Sequence, residues 1–235
     1  MILKPTPFHP RTSALCESHA WRRWSGYLAA SSYELSHERE YHSIRNAAAL
    51  FDITPLYKYR VQGRDAARLL DRVVTRDVLR TKVGDVLYTP WCDHRGKVLD
   101  DGTVARLGEQ LFRMTSADPN LRWLEDCGQG LDATIEDVSE QVAALALQGP
   151  TARAILMQLT DAGIAGLKFF RLTATSIRGM PVEISRTGYT GDLGFEIWMQ
   201  PEHALAIWDA LIEVGANYGM APAGMLALDV ARLEA

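Results

Sequence analysis

The chain has 235 residues, 47% of them hydrophobic and 23% charged, with a formal net charge of −4. At roughly 150 residues per domain, that length holds one large or two ordinary domains with a proper core. The mild negative charge offers a polyanion no attraction, so nucleic acid is not expected as a partner.

Three scattered cysteines, Cys16, Cys92 and Cys127, have no C-x-x-C spacing and encode neither a disulfide framework nor a zinc site. The N-terminus "MILKPTPFHPRTS" places only three apolar residues before Pro5, too few for an export signal. No apolar run approaches the roughly 18 residues of a membrane span. The expectation is a cytoplasmic protein without a membrane partner.

Over residues 38–50, Tyr41, Ile44, Arg45 and Ala48 fall at helical spacing, a helix leading into a strand. "LYKYRVQG" alternates Tyr57, Tyr59 and Val61 against Lys58, Arg60 and Gln62, a half-buried strand ending at Gly63. In "RDAARLLDRVVTRDV", Ala66, Leu69, Leu70, Val73 and Val74 make one helical stripe, and Asp65 suits the positive end of the helix dipole. Short strands "DVLYTPWCD", "KVLDDGTVARL" and "QLFRMTSA" follow, then a helix "NLRWLEDCGQG" stopped by Gly128, then a strand "DATIEDVS". This order predicts a split βαβ sandwich of ferredoxin-like type.

"VAALALQGP" reads as a strand broken at Gly149 and Pro150, before a helix "TARAILMQLT". A hairpin is expected around Arg178 to Met180, then a strand "GFEIWMQ". The next helix has its stripe at Leu205, Trp208, Leu211 and Ile212 and closes at Gly215. The final "AGMLALDVARLEA" is helix-prone and stops at Ala235 without a glycine, proline or polar tail. The expectation is that this helix frays there or leads into a further domain.

The stretch "SRTGYTGDLGFEIWM" spaces Gly188, Gly191 and Gly194 three apart. It matches neither the dinucleotide fingerprint nor the phosphate loop, and it lacks the lysine of the latter. The ordinary reading is a glycine-rich turn between two strands. Alternation then puts Phe195, Ile197 and Met199 on one sheet face and Glu196 with Trp198 on the other. A carboxylate there can accept two parallel N–H bonds from a planar heterocycle edge, with Tyr189 stacking or hydrogen-bonding nearby. A solvated glutamate on a strand fits the same residues.

In "RGKVLDDGTVARL", Asp100 and Asp101 point to opposite faces of a strand and cannot work as a pair on one bond. Asp101-Gly102 is also a common hairpin-turn signal. The other reading is a single carboxylate in a pocket that stabilises a cationic iminium or takes a proton from an amine. "CDH" and the scattered histidines lack metal-ligand spacing, so no metal site is expected, and no G-x-S-x-G elbow is present.

Together, "FDITPLYKYRVQGRDAARLLDRVVTRDV", "VLDDGTVARL", "ALALQGP", "SRTGYTGDLGFEI" and "ARLEA" resemble the folate-binding T-protein family, the aminomethyltransferases of the glycine cleavage system and their relatives. The resemblance implies an α+β protein with a discontinuous folate-binding first domain (1–51 and 145–235) and an inserted ferredoxin-like domain (52–144). The resemblance also implies a third domain, a small β-barrel after "RLEA", and the expectation is that this chain lacks it. The implied activity moves an aminomethyl or methyl unit from a donor heteroatom to N5 of tetrahydrofolate. The donor would be a small molecule or a lipoyl protein, with a separate redox or carrier protein as a further partner.

Carried over by position, Asp101 matches the aspartate near the transferred carbon, Glu196 the glutamate that holds the pterin edge, and Tyr189 the tyrosine lining that pocket. Departures stand at Ala105, where a tyrosine is usual, near Thr115 for an asparagine, at Leu228 for an arginine, and at Arg95-Gly96 for a glycine pair. They bear on the donor side, so demethylation of a methylated amine, thioether or aryl ether rivals aminomethyl-lipoyl chemistry. A non-catalytic folate-binding regulatory or assembly protein is the reading from another class, although "RTGYTGDLGFE" lacks the cysteine of that branch's "KGCYxGQE". The folate module of a flavin-linked amine dehydrogenase is a third, with its redox partner separate because no dinucleotide fingerprint lies in this chain.

Overall fold

The computed structural model describes residues 3–161 and 163–235. Met1 and Ile2, part of the stretch weighed as an export signal, and Ala162 lie outside the described residues. In chain order the first elements are helix α1 (His9–Leu15), strands β1 (Trp21–Trp24) and β2 (Tyr27–Ala30), helix α2 (Glu38–Asn46) and strand β3 (Ala49–Asp52). Next come β4 (Tyr57–Gln62), α3 (Ala66–Val73), β5 (Val86–Cys92), β6 (Val98–Gly108), β7 (Leu111–Ser116), α4 (Leu121–Gly128) and β8 (Thr134–Asp137). The remainder is β9 (Ala143–Gln148), α5 (Ala152–Met157), β10 (Leu172–Ile177), β11 (Met180–Ser185), β12 (Gly194–Met199), α6 (Ala204–Gly215), β13 (Ala221–Pro222) and α7 (Met225–Glu234). Two compact units result: unit 1 is Met1–Pro55, Gln141–Phe169 and Thr173–Ala235, and unit 2 is Leu56–Glu140 with Phe170–Leu172.

Unit 1 is built on a six-stranded sheet in the order β10-β11-β12-β9-β3-β13. Strand β9 lies between β12 and β3 and is buried along its whole length, so it reads as a continuous apolar run rather than an alternation. On one face Leu145, Leu147, Ile184, Phe195 and Ile197 form a core with Ile155 and Leu156 of α5 and Ile207, Trp208 and Leu211 of α6. Phe195, Ile197 and Met199 share this core, and Glu196 and Trp198 alternate to the other face.

The α6 stripe is centred on Ala204, Ile207, Trp208 and Leu211, with Leu205 and Ile212 at its margins. Helix α6 ends at Gly215, as its sequence suggested, but with φ −61° rather than a left-handed turn; a 3₁₀ turn over Ala216–Tyr218 follows, and the left-handed residue is Gly219 (φ +70°). Helix α1 and the β1–β2 hairpin are not announced by any periodicity. The hairpin turns at Ser25-Gly26, both left-handed (φ +47° and +85°), the backbone a tight two-residue hairpin requires.

Two polar nodes lock α2 in place. Glu40, 1% exposed, accepts backbone N–H bonds from Tyr33 (2.6 Å), Glu34 (2.9 Å) and Gly224 (2.7 Å), which satisfies a carboxylate that burial would otherwise penalise. Arg45 donates to Thr190 O (2.7 Å) and the Asp192 carboxylate before β12, and to Ala231 O (3.2 Å) and Glu234 Oε2 (2.7 Å) in α7. The Tyr41 hydroxyl donates to the same Glu234 oxygen at 2.8 Å. Hydrogen bonding to Tyr41, Asp192 and Glu234 raises the Arg45 pKa. Bonds from Arg45 and Tyr41 hold the Glu234 carboxyl below its ordinary value.

Unit 2 carries a five-stranded antiparallel sheet in the order β5-β6-β7-β4-β8. Strand β7 lies between β4 and β6, so these two run parallel with a strand between them, and β5 adds an edge. One face packs Tyr59, Val61, Val104, Phe112 and Met114 against Leu69, Leu70 and Val73 of α3 and Leu124 of α4. The other face is polar. By register it bears Lys58, Arg60, Asp101, Thr103, Arg113 and Thr115. The turn reading of Asp101-Gly102 is overturned, because β6 runs straight through both residues. Gly102 is there for close approach: a Cβ on it would stand 1.9 Å from the Thr115 carbonyl oxygen.

Gly102→Ala is therefore expected to cost unit 2 about 3 kcal/mol, since backbone rather than a flexible side chain would have to yield. A urea midpoint equal to the parent's would refute the close-approach account. Because the Glu234 pKa is lower folded than unfolded, its stabilisation is complete above the ordinary value of 4.5 and disappears as pH falls through the depressed folded value. Glu234→Gln should flatten the acid limb of stability below that value in thermal melts. An acid limb identical to the parent's would show that the Arg45 node contributes nothing to it.

Candidate functional site

In unit 1 the three glycines, two in the loop before β12 and one at its start, answer two demands. Gly194 faces Gln148 directly in the β12–β9 register, and a Cβ on it would lie 2.1 Å from Gln148 Oε1. A Cβ on Gly188 would lie 2.0 Å from the same oxygen. Gly191 has φ +75°, a conformation that strains other residues, and its Cβ would meet that of Ala235 at 2.9 Å. The glycine-rich turn expected between the two strands is clearance around a buried amide and a turn against the end of α7.

Glu196 stands half-buried on the second face of the sheet, and its Oε2 accepts the Thr187 hydroxyl at 2.7 Å. Thr187 Oγ1 is also 2.7 Å from Ser185 Oγ, and the Trp198 indole N–H donates to Ser185 Oγ at 3.3 Å. A hydroxyl has one proton, and that of Thr187 goes to Glu196, so Ser185 must donate to Thr187. The donors run in one direction, from Trp198 through Ser185 and Thr187 to the carboxylate. Such a chain holds Glu196 as an oriented, acceptor-only group. Tyr189, 55% exposed, projects from the same loop.

In unit 2 the two adjacent aspartates do face opposite ways. Asp100 is buried toward the helical side, where its oxygens accept from the backbone N–H of Asp101 (2.8 Å) and Asp118 (2.9 Å) and from Asn120 Nδ2 (2.9 Å). Asn120 in turn accepts from Trp91 Nε1 at 3.1 Å, and its backbone N–H donates to Tyr59 Oη at 2.7 Å. Asp100 is a structural acceptor. Asp101 lies on the polar face with partial exposure, and its Oδ2 accepts the Tyr88 hydroxyl at 2.7 Å. A carboxylate held this way supplies a fixed negative charge or a proton acceptor to an amine.

Glu196 and Tyr189 both belong to unit 1, and Asp101 belongs to unit 2. Sequence reasoning missed Tyr88 and Thr187, which donate to Asp101 and Glu196, and Gln148, whose amide meets the loop around Tyr189. Only Thr187 carried a local signal, two residues before Tyr189. The departures are also placed. Thr115 Oγ1 accepts the Thr103 backbone N–H (3.0 Å) and pairs with its hydroxyl (2.7 Å), Ala105 is buried opposite Arg113, Leu228 is buried in α7, and Arg95-Gly96 form the β5–β6 turn. Among the described residues no three His, Cys, Asp or Glu side chains are grouped to hold a metal ion, and no helix is long and apolar enough to cross a membrane.

The family model described as the GCVT N-terminal domain matches residues 9–235. An aminomethyltransferase of Thermoanaerobacter sp. (strain X514) is 39% identical over 201 residues, covering 83% of this chain and 55% of that relative. An aminomethyltransferase of Halothermothrix orenii is 35% identical over 240 residues, covering 99% of this chain and 65% of its own length. This chain therefore spans about 55% to 65% of those relatives. The solved glycine cleavage system aminomethyltransferase T from Bartonella henselae superposes with a TM-score of 0.87 at 28% identity, over 99% of this chain and 63% of that one. A chain of the heterotetrameric sarcosine oxidase from Corynebacterium sp. U-96 shares the fold, with a TM-score of 0.64 at 18% identity over 93% of this chain and 97% of that one. With the family model covering the chain from residue 9 to its last residue, and two aminomethyltransferases above a third identical, the chain belongs to the GCVT family and matches the N-terminal domain of its members.

Proposed function

We propose that this chain takes part in tetrahydrofolate-dependent one-carbon transfer, moving an aminomethyl or methyl unit. The observation that carries the reading is the directed relay ending on Glu196, with an exposed Tyr189 two residues along the chain from the Thr187 that holds it, in a chain of this family. An ionised carboxylate with solvent access fits the planar edge of a pterin, whose adjacent N–H groups pair with two carboxylate oxygens as an arginine's do. Glu196 would hold that edge and Tyr189 would cover it. Tetrahydrofolate, when bound, supplies the nitrogen that receives the one-carbon unit. Asp101, its rotamer set by Tyr88, would hold positive charge or take a proton on the donor side. Three free cysteines suit a reducing cytoplasm.

The donor is a small molecule or a lipoyl-bearing protein, and a separate redox or carrier protein would complete the cycle. The relatives carry the name aminomethyltransferase. A second reading, demethylation of a methylated amine, thioether or aryl ether, is favoured by Ala105 and by the self-paired Thr103 and Thr115 hydroxyls. Neither offers the polar reach of the tyrosine and asparagine usual there.

Titration with tetrahydrofolate, followed by tryptophan fluorescence, should show saturable binding that Glu196→Gln weakens by about tenfold to a hundredfold, the range of a charge-assisted bond. Equal affinity in parent and variant would remove Glu196 from the pocket. Asp101→Asn should bind within about threefold of the parent yet lose on the order of a hundredfold or more in transfer to tetrahydrofolate. Binding without transfer in the parent itself, or equal transfer by parent and variant, would favour the non-catalytic reading or exclude Asp101.

A further inference from the structure

We propose that Gln148, at the end of β9, is the positioning residue that sets the Glu196–Tyr189 segment, an inference that rests on the tetrahydrofolate reading for its consequence in binding. Its side chain is fully buried, and its amide lies among loop groups on both sides of Tyr189. Oε1 accepts the Thr190 hydroxyl at 3.0 Å, immediately after Tyr189. Nε2 makes long donations to Thr187 O at 3.4 Å and Phe195 O at 3.5 Å. Thr187 is the residue whose hydroxyl orients Glu196, and Phe195 precedes Glu196 in β12. One amide therefore contacts the backbone next to Glu196, the residue that holds its carboxylate, and the residue beside Tyr189.

Sterics make the arrangement specific. The amide occupies the volume that Cβ atoms on Gly188 and Gly194 would need, so a side chain at either position would force the Gln148 amide out of its place. Thr190 is itself fully buried, and without Gln148 its hydroxyl and the carbonyl of Thr187 would have to find other partners or remain costly. The loop would then lose the geometry that presents Tyr189 and Glu196. Gln148 touches no ligand in this account. It acts through the loop it shapes.

The test separates positioning from stability. Gln148→Met keeps nearly the same volume and removes the hydrogen bonds. It should raise the dissociation constant for tetrahydrofolate about tenfold and speed hydrogen exchange at the amides of residues 187–195. Gly194→Ala alone should lower the urea midpoint, because the buried amide has to leave its hydrogen bonds to make room. Gln148→Ala combined with Gly194→Ala should recover its urea midpoint, because the vacated space accepts the new methyl, while affinity stays about tenfold weak. A merely structural Gln148 would recover both together. The proposal is overturned if folded Gln148→Met binds tetrahydrofolate as the parent does, or if the double variant regains full affinity. If the parent binds no tetrahydrofolate, the functional reading falls, and the exchange rates decide the role of Gln148: unchanged rates in Gln148→Met overturn it.

Discussion

A strand buried on both faces can end in a polar residue only if the surrounding chain satisfies that residue where it stands. Strand β9 is such a strand, and Gln148 is its last residue. Around its amide the chain has placed a threonine hydroxyl and two carbonyls and has given up side chains at two glycines. The shape of the loop before β12, and with it the placement of Tyr189 and Glu196, follows from meeting that one demand. The cost of leaving a buried amide unpaired exceeds the conformational cost of glycine, so the glycines are the cheaper solution.

The same loop is held from the opposite side by charge. Arg45 reaches it from α2 and reaches the last turn of α7 with the same guanidinium, and Gly191 allows the chain to pass close to Ala235. Local geometry near Glu196 thus depends on segments far apart in sequence. Unit 2 solves a parallel problem with two adjacent aspartates. Burial consumes all the acceptor capacity that Asp100 shows toward Asn120 and two backbone N–H groups, and the pleat turns Asp101 the other way, where Tyr88 holds it on the polar face.

Much of this was legible from local pattern. Alternation in "GFEIWM" separated Glu196 from the core-facing Phe195 and Ile197, and the pleat rule divided Asp100 from Asp101 before any contact was known. Both depend only on the period of a strand, which a short run of residues already carries. Where the periodicity was weak, as in α1 and the β1–β2 hairpin, local pattern did not place the elements. Asp101-Gly102 resembled a turn because that dipeptide favours one, and only the neighbouring β7 shows that the glycine serves close approach instead.

The sequence by itself determined the strand and helix periods, the faces those periods assign, and, through its ordered landmarks, the family. Tertiary structure alone decided what the glycines are for, which aspartate is consumed by the core, and which hydroxyls orient the remaining carboxylates. The physical reason is that these are matters of register and packing between segments distant in the chain. Thr190 and Gln148 are 42 residues apart, and no local window contains both the buried amide and the clearance it requires.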